Sequence, residues 1–333
     1  MWRKLAAAAL CSIAFGAGAH AEVSVVNMSK QFGLPYLPMI VIEAQQLIEK
    51  NAKAAGLGDV KTTWTQRVGP AAELDALLAG QADFIGPGAT TLATIWDKTV
   101  GTPQEVRALI AMQSMPFVLV TRNPNVKTIA DFTETDRIAV PTVGLSFNAQ
   151  MLQMAAEKQW NDPHRLDHLT VSLGHPDAVA ALSAGYGKAI ITAHIAVQPY
   201  TEQGLRLAGA HVIADSRQVF GGPMTQITLL ATKATKEKDP TLFKAVANAL
   251  EQSIKVANAD KKAAAVLWKQ AQNAPDSVDT LVHLLDDPGF EFTSQPHRIG
   301  YFTAFLNRVG SMKSVPGDWK DLFWETAYDQ KGD

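Results

Sequence analysis

The phrase ALLAGQADFIGPGATT, beginning at Ala76, constrains this chain more than any other, because a version of it, ALSAGYGKAIITAHI, returns at Ala181. Gly69, Ala76, Leu77, Ala79, Gly80 and Ile85 recur 105 residues on as Gly174, Ala181, Leu182, Ala184, Gly185 and Ile190. Each copy holds the same place in the same order of elements. In the first half EVSVVNMS reads as a strand, YLPMIVIEAQQLIEKNAKAAG has helical spacing, and VKTTWTQRV alternates as a strand. AAELDALLAG is then a helix stopped by Gly80, and ADFIG is a third strand. In the second half RIAVP, SFNAQMLQMAAEKQW, LTVSLG, HPDAVAALSAG and KAIITA repeat strand, helix, strand, helix, strand. That alternation favours parallel strands joined by crossover helices, so two similar α/β lobes are expected. In open α/β sheets ligands bind past the carboxyl ends of the strands, where the Gly-Pro-Gly loop after ADFIG falls.

Two further apolar strands, PFVLVT (116–121) and TQITLLAT (225–232), stand between and after the halves. They are expected to mark the chain's passage from one lobe to the other and back. The lobes would then be 22–115 with 225–333, and 116–224. PTLFKAVANALEQSIKVAN, DKKAAAVLWKQAQ, SVDTLVHLLDD, RIGYFTAFLNRVG and DLFWETAY read as helices of the C-terminal part. Two lobes on a two-strand hinge make a cleft that can close on a ligand.

The first residues form a separate unit. MWRK is a basic head, LAAAALCSIAFGAGA an apolar run too short for a comfortable membrane span, and AHA at 19–21 a cleavage signal. Together they read as a secretory signal peptide over 1–21, cut before Glu22, which predicts a periplasmic protein. Cys11, the chain's one cysteine, lies inside this leader and follows Leu10, where a lipoprotein signal wants a small residue. Past residue 21 there is therefore no thiol for a disulfide, a nucleophile or a metal. No later stretch approaches about 20 consecutive apolar residues, so the exported chain is expected to be soluble. A formal charge of −2 carries no basic footprint for nucleic acid, and 47% hydrophobic residues suffice for a large core.

The familiar catalytic motifs fail on inspection. GPGATT has Thr91 where a dinucleotide fingerprint needs its third glycine, and GLSFN lacks the closing glycine of a hydrolase elbow. No P-loop occurs. His164 and His168 are spaced to grip a metal on a helix, but Asp162 and Pro163 place them in a turn, where solvated histidines are commoner. Asp83 reads as a sheet-end residue that binds nearby backbone. The polar residues after the strands make a better site. Ser29, Gln31, Phe32 and Tyr36 follow the first strand; Gly86, Gly88 and Thr90 the third. Gly144, Ser146 and Asn148 open the helix after AVPTVG, and Thr192 with His194 follows the last strand of the second half. All are expected to face one cleft. Ser146 doubles as a helix N-cap, which is compatible, since free N–H groups at a helix start bind anions. An anionic or strongly polar head is thus expected at Ser146 and Gly144, gripped also from Gly86, Gly88 and Thr90. Phe32 and Tyr36 would line the space for an organic tail.

Taken in order behind a signal peptide, ELDALLAGQADF, VKTIADFTETDRIAVPTVGLSFNAQMLQMAAE, HPDAVAALSAG and ITAH resemble the periplasmic substrate-binding proteins of ABC importers. The group is the one that serves nitrate, sulfonates, taurine and thiamine precursors, and the likeness runs over nearly all of the chain past the leader. One departure is Lys188, which stands where the first phrase has Asp83. The resemblance implies the type II periplasmic-binding fold, closure of a monomer on a small-molecule ligand, and delivery to a membrane permease with its ATPase. With no cysteine past the leader and no P-loop or dinucleotide motif, no cofactor and no catalysis are expected. Two alternatives share the fold: an enzyme, whose relative in this group uses a cysteine-rich segment that this chain lacks, and a ligand-sensing partner of a membrane receptor.

Overall fold

The computed structural model describes residues 24–333; the proposed signal peptide and its cleavage site lie outside them. The strands are β1 (Ser24–Lys30), β2 (Val60–Gln66), β3 (Phe84–Ile85), β4 (Val106–Ser114), β5 (Val118–Thr121), β6 (Ile138–Val140), β7 (Thr170–Ser172), β8 (Ala193–Ala196), β9 (His211–Asp215), β10 (Thr225–Thr232) and β11 (Glu291–Phe292). Before β4 come helices α1 (Leu37–Gln45), α2 (Leu47–Ala54), α3 (Pro70–Leu78) and α4 (Ala89–Thr99). Between β6 and β10 come α5 (Phe147–Trp160), α6 (His175–Ser183), α7 (Tyr200–Leu205) and α8 (Ser216–Phe220). The last are α9 (Lys233–Lys238), α10 (Pro240–Ala259), α11 (Lys261–Gln272), α12 (Val278–Leu285) and α13 (Ile299–Arg308).

The strands make two sheets of matching design. In the first the order is β11-β4-β10-β3-β1-β2, and in the second β7-β6-β8-β5-β9. In each, three parallel strands (β2, β1, β3 and β7, β6, β8) meet one antiparallel strand, β10 or β5. Five of the six residues repeated at 105 fall at matching places on α3 and α6, from the N-caps Gly69 and Gly174 to Gly80 and Gly185, but Ile85 is buried in β3 while Ile190 is exposed ahead of β8. The antiparallel strand of each sheet stands just after a passage between sheets. The chain leaves β4 for β5 through residues 115–117 and returns from β9 to β10 through α8 and residues 221–224.

Local chemistry explains most of these elements. Gly80 (φ 69°) and Gly185 (φ 93°) end their helices in the left-handed region, where an L side chain is strained. Asp83 accepts from the backbone and side-chain N–H of Asn27, tying β3 to β1 at the start of the sheet. β4 is buried along nearly its whole length, with β10 on one side and β11 on the other. It shows no alternation because neither face meets water.

Several elements differ from the sequence reading. The long first helix is two, broken at Gln46, which adopts φ 52° without a glycine or proline to announce it. β4 and α4 were not anticipated. DLFWETAY forms two single 3-10 turns, Trp319–Leu322 and Glu325–Ala327, instead of an α-helix. KAIITA is mostly turn. β8 begins only at Ala193, because its parallel partner β6 pairs Ile138 with Ala193 and has no strand residue to offer earlier.

Candidate functional site

The parallel strands of both sheets aim their carboxyl ends at one seam, and the helices that follow them begin there. Between the sheets lies a narrow cavity of about 30 Å³, room for a water molecule or two. Pro70 of α3, Gly88 before α4, Phe147 and Asn148 of α5 and His175 of α6 all line it, so four helix starts converge on one space. Gln31, Tyr36 and Gln226 complete the wall on the side of the first sheet, with Val197 opposite. The two halves touch along the seam. Leu34 N donates to the Gln198 carbonyl at 2.8 Å, and Thr91 Oγ1 to that of Leu145 at 3.2 Å. Glycines bring backbones together: a Cβ on Gly69 would stand 2.7 Å from the Pro141 carbonyl oxygen, and one on Gly33 2.9 Å from Val197.

Of the residues singled out in the sequence, Gln31, Phe32, Tyr36, Gly88, Ser146 and Asn148 line the cavity. The others do not. Ser29 and Gly86 stand behind the wall, bonded to Glu73. Thr90 is buried inside α4, and its hydroxyl has no partner among the described residues. Gly144 takes φ 68° in an exposed turn with open space around it, away from the cavity. Thr192 lies at the opposite, amino-terminal end of β8, where its carbonyl accepts from Arg122 and its hydroxyl from the Arg137 N–H. The misplaced strand over KAIITA had put it at the wrong end. His194 is within β8 rather than after it, one layer behind His175.

The polar side chains at the wall are held firmly. Ser146 caps α5 by accepting from Ala149 N at 3.3 Å, and its own proton goes to the Thr142 carbonyl at 2.8 Å. Asn148 Nδ2 donates to the Ile195 carbonyl at 3.0 Å, and Tyr36 OH to that of Gly86 at 2.8 Å. His175 Nδ1 and His194 Nε2 share one proton at 2.8 Å, with Tyr200 stacked on His175. Burial holds both imidazoles neutral, pushing His175 down to about 3 and His194 well below its usual value.

Sequence reasoning missed Glu73, in the first turn of α3. It is fully buried, and burial raises its carboxyl from 4.5 to about 7 despite hydrogen bonds from Gln31, Gly86 and Ser29 and the nearby cation of Arg67. An acid at that position of a helix reads as an ordinary partner of the helix dipole, which hides this role. His175 and Gln226 were missed as well. No cationic side chain among the described residues lines the cavity. Among the described residues no cluster of three or more His, Cys, Asp and Glu could hold a metal ion, and no helix is long and apolar enough to cross a membrane. His164 and His168 turn instead to Asp167 and Glu134.

Two sheets of this order, joined by two passages and opening on a seam at their strand ends, define a periplasmic-binding-protein fold. Comparison with solved structures agrees. The alkanesulfonate-binding protein SsuA of Xanthomonas axonopodis pv. citri, bound to MOPS, is similar at a TM-score of 0.68 and 17% identity, over 92% of this chain and 98% of that one. The periplasmic aliphatic sulphonate-binding protein SsuA of Escherichia coli gives 0.65 and 18%, over 93% and 100%. The periplasmic nitrate-binding protein NrtA of Synechocystis PCC 6803 gives 0.59 and 14%, over 74% and 66%. No protein-family model matches the sequence, and no curated protein matches it.

Proposed function

We propose that this chain is the solute-binding protein of an ABC importer, exported to the periplasm after cleavage before Glu22. Its lobes, 22–115 with 225–333 and 116–224, would close on one small organic anion and pass it to a permease and its ATPase. The observation that carries the reading is the convergence of four helix starts on one interlobe cavity that, among the described residues, no cationic side chain lines. Each helix start offers unpaired N–H groups and a partial positive charge, a neutral way to hold an anion. The N–H groups of Phe147 and Asn148 have no acceptor among the described residues. The sulfonate-binding and nitrate-binding proteins of like fold support an acceptor-rich head such as a sulfonate. The binding proteins of like fold support binding without turnover.

The test is a thermal-shift screen of the purified protein against sulfonates, taurine, nitrate, pyrimidines and aromatic acids. Calorimetry on the best ligand follows, in a buffer free of sulfonates. Saturable one-to-one binding of an anion, recovered chemically unchanged, is the expected outcome. Binding only of neutral or cationic compounds, or conversion of the ligand, would sink the reading.

A further inference from the structure

Gln31 faces the cavity, and what it shows there is decided behind it. Its Nε2 donates to Glu73 Oε2 at 2.8 Å, while Ser29 Oγ and Gly86 N donate to Glu73 Oε1 at 3.2 and 3.3 Å. An ionised carboxylate only accepts, so the amide must turn its nitrogen inward. Gln31 Oε1 then has no donor among the described residues, and the side chain lines the cavity as an acceptor. A protonated Glu73 must instead donate. Its Oε1 already accepts from Ser29 Oγ and Gly86 N, so the proton belongs on Oε2, where Gln31 Oε1, after a half-turn of its amide, is the acceptor. The half-turn brings the Gln31 NH2 group to the cavity.

We propose that Glu73 is a positioning residue that selects whether Gln31 offers an acceptor or a donor to the ligand, so that its proton is linked to ligand choice. The inference rests on the cavity being the ligand site. Protonation favours acceptor-only anions in two ways: it supplies a donor and it removes a buried negative charge. The groups facing Glu73 are few. Arg67 follows β2, and Tyr36, before α1, has its hydroxyl pushed up by burial and by Glu73 itself. Lys30, next along β1, turns to Glu43. His175, across the cavity, is held neutral down to about pH 3. Glu73, raised by burial to about 7, titrates where the effect can be read.

Two measurements test this. In the ligand-free protein the side-chain amide resonances of Gln31 are followed by nitrogen-edited NMR from pH 5.5 to 8.5. They are expected to move with a midpoint near 7 in the wild type and to stay fixed in Glu73→Gln. Calorimetry with methanesulfonate then compares pH 6 with pH 8. Wild-type affinity is expected to fall on the order of tenfold, the effect of one hydrogen bond to a charged ligand. Glu73→Gln, a mimic of the protonated acid, should hold nearly the pH 6 affinity throughout. Gln31 resonances that ignore pH in the wild type, or an equal pH slope in the variant, would overturn the proposal. If the NMR titration holds but no sulfonate binds, the ligand reading fails while the coupling of Glu73 to Gln31 stands.

Discussion

A carboxylate with no exposed surface costs the fold free energy whenever it is ionised. Glu73 binds its proton more tightly folded, at about 7, than unfolded, at 4.5. The folded state therefore holds the extra proton between those values, and stability falls as pH rises through that window. Above 7 the full cost is about 3 kcal/mol. Glu73→Gln removes the charge and keeps the shape. Relative to the wild type, the variant should gain most at pH 8 and lose that advantage by pH 5, as read by urea unfolding at each pH. A gap that does not change with pH would show that burial leaves the Glu73 carboxyl titrating alike in the folded and unfolded chain. The imidazole pair runs the other way. His175 is depressed from 6.5 to about 3, so its contribution is complete above 6.5 and drains away below it. Acid unfolding should accordingly steepen below pH 6, by about 1.4 kcal/mol per pH unit for the first proton the pair takes up.

At the scale of single elements, α5 shows how a cap and a binding residue can be confused. Ser146 sits at the cavity, yet its hydroxyl is spent on the Thr142 carbonyl and the Ala149 N–H. Ser146→Ala should cost about 1 kcal/mol of stability through the lost cap. Its effect on ligand affinity should stay below the roughly tenfold that a direct hydrogen bond to a charged ligand supplies. Paired denaturation and calorimetry measure both, and a hundredfold loss of affinity would restore the hydroxyl to direct contact. The cap was legible because serine before an apolar helical run has a local meaning. So were Gly80 and Gly185, whose backbone conformation only glycine takes easily. What was hidden depended on distant partners. β4 is buried by neighbours far off in sequence and so carries no alternation. α4, ATTLATIWDKT, has threonines that favour strands and is helical because nearly all its residues pack in the core. In KAIITA the apolar Ile190 is 74% exposed, so apolar content promised a strand that pairing does not supply. Of the site, Gln31, Gly88, Ser146 and Asn148 could be placed by counting from strand ends. Glu73 could not, since its partners Ser29 and Gly86 lie on other elements.

At the scale of the whole molecule, the described chain passes between the two sheets through residues 115–117 and 216–224, and the sheets meet again across the seam through glycines. The cavity between them, at about 30 Å³, is too small to admit an organic ligand without opening. If the chain binds as proposed, binding begins in an open arrangement and ends in a closed one, with the closed state gaining population as the ligand bridges both halves. Gly69 tests this without touching either hinge or ligand. Its backbone is extended, so alanine there carries no conformational strain. In the closed form, however, the added Cβ would stand 2.7 Å from both the Pro141 carbonyl oxygen and Thr142 Oγ1. Overcrowding of that kind costs about 1–3 kcal/mol, and here it falls on the closed state alone. Gly69→Ala should unfold at nearly the wild-type denaturant concentration when open. Its ligand affinity should drop roughly ten- to a hundredfold, the same penalty expressed as population. Small-angle scattering at saturating ligand should show the wild type contracting and the variant contracting less. A variant that binds and contracts like the wild type would mean that the seam at Gly69 does not close when ligand is held.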